Sequence, residues 1–282
     1  MKPLKEWEFS TDPLFGTKRV WAFDLDDTLT EDGSLPAKIV ETLEYLQKSG
    51  HYTIIVSGRP ASWGLPFAKL LPLDAVIVEN GSTIFYWPNG KGSKKLHTEP
   101  KALFWSPKGY VSTEEFMTSP AKSMSEDKKY IVVQEIREKF PRVKLASDQL
   151  FRLYDLAVDF AEAIDPPLSI DEAVEIKDIF ETHGATAKVS SIHVNGWWGD
   201  FDKSSGVQEL FENVEWSMGF DKMIYFGDSP NDAPLFTFSP MSVGVSNLND
   251  FQSDTSWTRP KFITANKSSS GVIEAVSHYL NS

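Results

Sequence analysis

Asp24 and Asp26 stand one residue apart in Asp24-Leu25-Asp26-Asp27-Thr28-Leu29, directly after the apolar run Val20-Trp21-Ala22-Phe23. Such a run reads as a buried parallel strand. Acids at its end stand at the carboxyl edge of a sheet, where open α/β folds bind ligands. Bringing two carboxylates together away from water is costly unless a cation or hydrogen bonds offset their charge. An oxygen-only set of this kind suits Mg²⁺. A solvated acidic turn is the plainer alternative. A calcium loop needs glycine at its sixth position; counted from Asp24 that position is Leu29, so this reading fails.

Three other stretches carry groups fitted to the same chemistry. Tyr52-Thr53-Ile54-Ile55-Val56 leads into Ser57-Gly58-Arg59-Pro60. Lys203 opens a helical stretch, and Lys222-Met223-Ile224-Tyr225-Phe226 leads into Gly227-Asp228-Ser229-Pro230-Asn231-Asp232. In a doubly wound sheet these strand ends converge on one edge. Phosphoryl transfer needs a nucleophile, a proton donor, a metal and positive or N–H groups around the equatorial oxygens. Asp24, Asp26, Thr28, Ser57, Lys203, Asp228, Asn231 and Asp232 supply all of them. Taken singly, Ser57 suits a structural turn, Lys203 a solvated surface, and Asp228 or Asp232 a helix cap.

The elements that position these groups alternate. A helix is expected over Pro36–Lys48, with apolar residues at helical spacing and Gly50 as its stop, and a short one over Ser62–Leu71. Ala75–Val78 is a third strand, and the alternation implies a parallel sheet with right-handed crossovers. Residues 1–19 read as an irregular arm, Ser82–Trp87 as a strand, and 88–122 as having little regular structure. Next come a helix over Ser125–Phe140 and strands at Val143–Ala146 and Tyr154–Phe160, the last with one face open to water. A helix over Ser169–His183 begins with a Ser169/Glu172 capping box, and Ala187–Val194 is one more strand. The βα rhythm resumes at Lys203, with strands at Met241–Val245 and, at an edge, Phe262–Ile263, and a closing helix over Val272–Leu280. The expected architecture is an α/β, Rossmann-like, doubly wound core from residues 1–83 and 200–282, with an α+β module, 84–199, inserted between its halves.

The chain has 282 residues, 41% hydrophobic and 24% charged, a formal charge of −12 and no cysteine. The acidic balance argues against a nucleic-acid-coating protein. The absence of cysteine removes disulfides, zinc–thiolate sites and thiol nucleophiles. No apolar run is long enough to span a bilayer and the N-terminus lacks a signal-peptide core, so a cytoplasmic location is the default expectation.

Asp24-Leu25-Asp26-Asp27-Thr28-Leu29, Ser57-Gly58-Arg59-Pro60, Lys203 and Gly227-Asp228-Ser229-Pro230-Asn231-Asp232, in this order, resemble the motifs of the haloacid dehalogenase superfamily phosphatases. The large insertion and Glu79-Asn80-Gly81 resemble the Cof-like branch, which includes sugar-phosphate and sucrose-phosphate phosphatases. The resemblance implies that Asp24 attacks phosphorus to form an aspartyl-phosphate, and that Asp26 is the general acid and base. It implies Mg²⁺ held by Asp24, the Asp26 main-chain carbonyl and Asp228, with Asp232 at or behind the ion. Ser57, Lys203 and Thr28 are then the phosphate-binding groups, with Asn231 orienting Lys203 or Ser57. Asp27 departs from the pattern, since glycine is frequent there, and this bears on the turn more than on the chemistry. The expected substrate is a small phosphorylated metabolite, a sugar phosphate. A phosphomutase of the phosphomannomutase type and an inactive binding protein are the alternatives. In the insertion, His193 and Trp198 are candidate substrate contacts, with hinge packing the favoured role for Trp197 and Trp198. Arg152 and Lys188 are candidate cations for a second anionic group.

Overall fold

The computed structural model describes residues 1–13, 15–91, 99–118, 126–251 and 257–281. Its centre is β2 (Val20–Phe23), four residues buried on both sides. Trp21 and Phe23 pack against one layer of helices, and Val20 and Ala22 against the other. This double burial is why the strand is apolar throughout rather than alternating.

In chain order, β1 (Lys2–Pro3) and β2 are followed by α1 (Ala37–Lys48), β3 (Tyr52–Val56), α2 (Ala61–Leu70) and β4 (Ala75–Val78). Next come β5 (Thr83–Tyr86), β6 (Lys101–Ser106), β7 (Gly109–Ser112) and α3 (Thr113–Thr118). The middle of the chain forms α4 (Glu126–Lys139), β8 (Lys144–Leu145), β9 (Leu156–Asp159), α5 (Ile170–Thr182), β10 (Thr186–Val189) and β11 (His193–Trp197). The last part is α6 (Lys203–Asn213), β12 (Met223–Gly227), α7 (Ala233–Phe238), β13 (Met241–Gly244), β14 (Phe262–Ile263) and α8 (Ser268–Leu280).

The large sheet runs β1-β14-β13-β12-β2-β3-β4-β5-β6-β7. From β1 to β4 all pairs are parallel, and from β4 onward they are antiparallel. Helices α1, α2 and α8 cover one face, and α6 and α7 the other. The carboxyl ends of β12, β2, β3 and β4 therefore lie side by side, which is the arrangement a ligand site needs in this architecture.

A second, antiparallel sheet has the order β10-β11-β9-β8. One face packs against α4 and α5, where Val158 and Val194 join Ile136, Ile176 and Phe180. Phe180 lies so close over Gly196 that a β-carbon there would meet its ring at 2.1 Å. Helix α5 starts with the expected capping box, the Ser169 hydroxyl accepting from Glu172 N–H. Among the described residues no helix is long and apolar enough to cross a membrane.

Several sequence expectations need correction. Residues 101–118 are regular: β6 pairs in register with β5 and β7 with β6, so the large sheet continues past 84, where the core was expected to break. Their strand signal was masked by flanking Gly, Pro and Lys. The parts of 88–122 at 92–98 and 119–122 lie outside the described residues, as does Ser125. The single strand expected over Ala187–Val194 is a hairpin, turned by Ser190, whose hydroxyl accepts from His193 N–H and donates to His193 O. Neither face of β9 is wet: all four of its residues are buried, and the Asp159 carboxylate is satisfied by the Ala161, Glu162 and Ala163 N–H groups of the following turn. The arm before β2 is anchored, with β1 paired to β14, so β14 is interior. Leu4, Trp7 and Phe9 are buried, and Trp7 stacks on Phe262 at 4.7 Å.

Candidate active site

The turn after β2 carries the two aspartates. Asp24 N–H donates to Phe226 O of the neighbouring strand at 2.8 Å, which fixes Asp24 at the sheet edge. Asp27 has φ 54°, in the left-handed region that aspartate tolerates better than most residues, and its N–H donates to Thr30 Oγ1 at 3.0 Å. The acid found where glycine was expected therefore makes the turn.

Lys203 is the first residue of α6 and is 2% exposed. Asp202 caps the helix, its Oδ1 accepting from Ser204 and Ser205 N–H at 2.8 and 2.9 Å. Helix α6 begins directly against the turn after β4: Gly81 has φ +113°, and a β-carbon there would meet Asp202 O at 2.0 Å. From this start Lys203 Nζ donates to Asp24 Oδ1 at 2.6 Å and to Asp232 Oδ1 at 2.7 Å.

Asp232 is fully occupied. Its Oδ1 accepts from Lys203 and from Tyr225 OH at 2.6 Å, and its Oδ2 from Asp228 and Ser229 N–H at 2.9 and 3.2 Å. The carboxylate lies against Gly227, where a β-carbon would meet it at 2.3 Å. Asp228 is the opposite case. Thr28 Oγ1 reaches its Oδ1 only at 3.5 Å, while its Oδ2 is buried and without a partner.

Asp24, Asp228 and Asp232 present oxygens within 4.8 Å of one another. Burial, reinforced by Asp232 and Asp26 and opposed by Lys203, pushes the Asp24 carboxyl up to about 8. Burial and then Asp24 and Asp232 push Asp228 well above the carboxylate range. Three crowded acids with one lysine, an orphaned buried oxygen and no nitrogen or sulfur donor in the cluster fit a hard divalent cation. Asp24 and Asp228 have oxygens to offer it; Asp232, bonded on both oxygens, is fitted to holding Lys203 and the 228–229 turn in place.

Asp26 is gripped by Arg59 of the Ser57-Gly58-Arg59-Pro60 turn, a residue to which its sequence position alone gives no role. Arg59 Nε donates to Asp26 Oδ2 at 2.9 Å and Nη2 to Oδ1 at 2.8 Å. The same guanidinium reaches across to the second sheet, to Glu162 Oε1 at 2.8 Å and Asp148 Oδ2 at 3.4 Å. His193 Nε2 bonds the other Glu162 oxygen at 2.9 Å. This bond, with Arg59 and against partial burial, holds the Glu162 carboxyl down at about 2. Glu162 had no sequence signal, since it sits in a turn and meets Arg59 only through the fold.

Glu79, 0% exposed, joins the two modules at the end of β4. Its carboxylate accepts from Ala61 N–H of the core and from Leu153, Tyr154 and Asp155 N–H of the insertion. Asn80 links Asn231, which donates to it at 3.1 Å, to Asp155. Asn231 thus orients Asn80; it bonds neither Lys203 nor Ser57, as had been expected. Ser57 is fully buried at the end of β3, its Oγ accepting from Arg59 N–H at 3.1 Å.

Asp24, Asp26, Asp228 and Asn231 line one small cleft, roofed by Ser191, His193 and Asn195 of the insertion. Trp198 does not line it. Its Nε1 donates to His183 O at 3.1 Å and its ring packs beside Phe180, on the far face of the second sheet, which corrects its assignment as a substrate contact. Trp197 packs with Trp105, Tyr154 and Phe201 at the second crossing. Arg152 is engaged by Asp148, Asp155 and Gly58 O, so it is no free cation. Lys188 lines a separate groove with Pro230 and Trp257.

A family model described as haloacid dehalogenase-like hydrolase matches residues 21–276. The chain is 26% identical over 236 residues to the phosphoglycolate phosphatase of Nitrosopumilus maritimus, covering 83% of this chain and 85% of that one. Among solved structures, a Thermoplasma acidophilum protein superposes with a TM-score of 0.62 at 18% identity, over 93% of this chain and 98% of that one. The sucrose-phosphatase of Synechocystis, solved with sucrose and phosphate, gives a TM-score of 0.59 at 19% identity, with the same coverage of 93% and 98%. These neighbours superpose over nearly the whole chain and so share its fold, and the family match runs through residues 21–276, across all four core motifs and the residues between them. The chain belongs to the haloacid dehalogenase-like hydrolases.

Proposed function

We propose that this hydrolase is a Mg²⁺-dependent phosphatase that removes the phosphate of a small phosphorylated metabolite, a sugar phosphate, through a phosphorylated Asp24. The carrying observation is the placement of Asp24: Lys203 holds its Oδ1 at 2.6 Å, and it lines the cleft together with Asp228, whose buried Oδ2 has no partner.

In this reading Asp24 is the nucleophile, and Lys203 fixes its orientation so that little is lost in reaching an in-line attack. Asp26 delivers a proton to the leaving oxygen and later takes one from the hydrolytic water. Both Asp26 oxygens are bonded to Arg59, so this acid works once the guanidinium shifts aside for substrate. Thr28, Ser57 and Lys203 surround the transferring group as hydrogen-bond donors. Asn231 acts through Asn80, bracing the junction of the modules. Mg²⁺, held by Asp24, Asp228 and the Asp26 main-chain carbonyl and braced through Asp232, would supply positive charge against the phosphoryl oxygens. The second sheet is the lid over this chemistry, and His193 is its substrate-facing candidate.

A phosphomutase needs a second anion site facing the first. Arg59 and Arg152, the guanidiniums at this junction, are both already engaged by carboxylates, which favours the phosphatase. The sucrose complex of the Synechocystis neighbour and the phosphoglycolate phosphatase name of the Nitrosopumilus relative both suit a small phosphate ester. A cytoplasmic setting goes with this substrate class. The test is turnover of p-nitrophenyl phosphate. Release of p-nitrophenol and phosphate with Mg²⁺, and none in EDTA, is expected. Unchanged turnover in EDTA contradicts the metal dependence; with a sugar phosphate as substrate, an isomerised sugar phosphate as sole product, without free phosphate, contradicts the hydrolase reading.

A further inference from the structure

Asp155, the residue before β9, belongs to the insertion and is 0% exposed. Its Oδ2 accepts from Asn195 Nδ2 at 2.8 Å and from Asn80 Nδ2 at 3.3 Å. Asn80 Oδ1 in turn accepts from Asn231 Nδ2 at 3.1 Å. One carboxylate thus gathers three amides, and two of them, Asn195 of the insertion and Asn231 of the core, line the cleft. Arg152 Nη1 supplies the counter-charge, donating to both Asp155 oxygens at 2.9 and 3.0 Å. An amide can present either end to a neighbour, whereas an ionised carboxylate only accepts. Asp155 therefore gives the chain a direction. Asn80 must turn Nδ2 to Asp155, which leaves Oδ1 for Asn231, and Asn231 must turn its own Nδ2 to Asn80. Asn195 is directed in the same way in one step. Among the described residues neither Asn195 Oδ1 nor Asn231 Oδ1 has a hydrogen-bond partner.

We propose that Asp155 is a positioning residue for the reaction: it sets the polarity of the Asn80–Asn231 relay and of Asn195, so that both cleft amides keep their carbonyl oxygens as acceptors for water and hydroxyls. The proposal rests on the phosphatase reading above. Asp155 touches no reacting atom. It acts on the turn between Asp228 and Asp232 through two hydrogen bonds that cross from the insertion to the core. An Asn231 turned the other way would set its Oδ1 against Asn80 Oδ1, two buried acceptors with no hydrogen between them. The relay is complete only while the modules are docked, so closure of the insertion and the orientation of Asn231 are one event. The plainer role for Asp155 is that of ion-pair partner to Arg152 alone. The two roles differ in where the negative charge can stand.

The test moves the charge one step along the relay. Asp155→Asn removes the carboxylate at nearly constant volume and lets the chain run in either direction. Asn80→Asp alone sets two carboxylates against each other. In Asp155→Asn/Asn80→Asp the carboxylate at position 80 accepts from both Asn231 and the new amide, and the amide oxygen at position 155 still accepts from Asn195. The φ of 55° at Asn80 is one that aspartate also adopts. Rates on p-nitrophenyl phosphate with Mg²⁺, and thermal melts in EDTA, are read for the full-length wild type and the three variants. Each single variant should lose about 100-fold in kcat, and the double variant should return to within about tenfold of wild type. The double variant should also lose less Tm than the two single losses summed, by about 4 °C or more. An Asp155→Asn enzyme within about threefold of wild type overturns the proposal. So do losses that multiply in rate or add in Tm, which leave Asp155 as the partner of Arg152. A wild type that hydrolyses no ester overturns the phosphatase reading, and the melts alone then decide whether the relay has a direction.

Discussion

Replacing Asp228 by asparagine should make the metal-free protein more stable, not less. Asp228 Oδ2 is buried and unpartnered, next to Asp24 and Asp232, and its proton affinity is raised chiefly by that burial. A buried acceptor left unpaired costs about 1–3 kcal/mol, and more when charged. Asparagine is isosteric, keeps an oxygen for Thr28 and places an N–H₂ where the orphan oxygen stands, in the acid cluster with Asp24. At about 2–4 °C per kcal/mol for a chain of this order of size, a gain of about 2–12 °C in Tm is expected in EDTA. The pH sign agrees. A carboxyl raised in the folded state keeps more protons there than in the unfolded chain, so the metal-free wild type loses stability as pH rises above the ordinary carboxyl value of 3.8, and the asparagine variant loses less. Mg²⁺ should then act oppositely on the two proteins. At 100 times its Kd it stabilises the wild type by about 2.7 kcal/mol and the variant by much less. Thermal melts in EDTA and in excess Mg²⁺, at pH 6 and 8, read all three effects. A variant less stable than wild type in EDTA, or one that gains the full Mg²⁺ shift, refutes the assignment of Asp228 as a site built for a cation.

Other consequences follow from the same geometry. Asp26→Ala should lower kcat/KM for alkyl phosphates by about 10²–10⁴-fold, and that for p-nitrophenyl phosphate much less, because p-nitrophenolate hardly needs a proton; equal losses make Asp26 structural. Gly81→Ala should destabilise the protein by about 2 kcal/mol or more, since φ is +113° and a β-carbon meets the Asp202 carbonyl; it should also cut activity by displacing Lys203, as melts and rates on one preparation will show. His51, buried beside Arg19 and accepting its N–H at 3.2 Å, is held down by that burial at about 4 against an ordinary imidazole value of 6.5. Its contribution is complete above pH 6.5 and lost as pH falls toward 4. Denaturant titrations of His51→Asn should be flatter over that window.

The parallel core was legible because its strands are buried on both faces. Val20–Phe23, Tyr52–Val56 and Ala75–Val78 read as apolar runs ending in polar groups, and those ends converge in the fold. The edge of the sheet was not. Strands β6 and β7 are partly exposed, with Lys101 and Gly109 among them, so neither a continuous apolar run nor clean alternation marks them. Lys203 was visible at a helix start, but its two partners at 2.6 and 2.7 Å are 179 and 29 residues away and only tertiary structure pairs them. Trp198 shows the reverse. An aromatic beside a domain crossing suggested a sugar platform, yet strand alternation turns it to the α5 side, opposite the side that His193 and Asn195 share. Arg59 and Glu162 escaped because neither residue carries a signal until the cross-module bridge is seen.

The most direct test of the account is to trap the covalent intermediate. The enzyme with Mg²⁺ and substrate is quenched in acid within a single turnover, digested, and the peptide spanning residues 20–37 analysed by mass spectrometry. One phosphoryl group on Asp24, absent from Asp24→Asn and chased away by continued turnover, is the predicted result. Turnover by Asp24→Asn at a rate near wild type, or a phosphoryl group found on another residue, contradicts it.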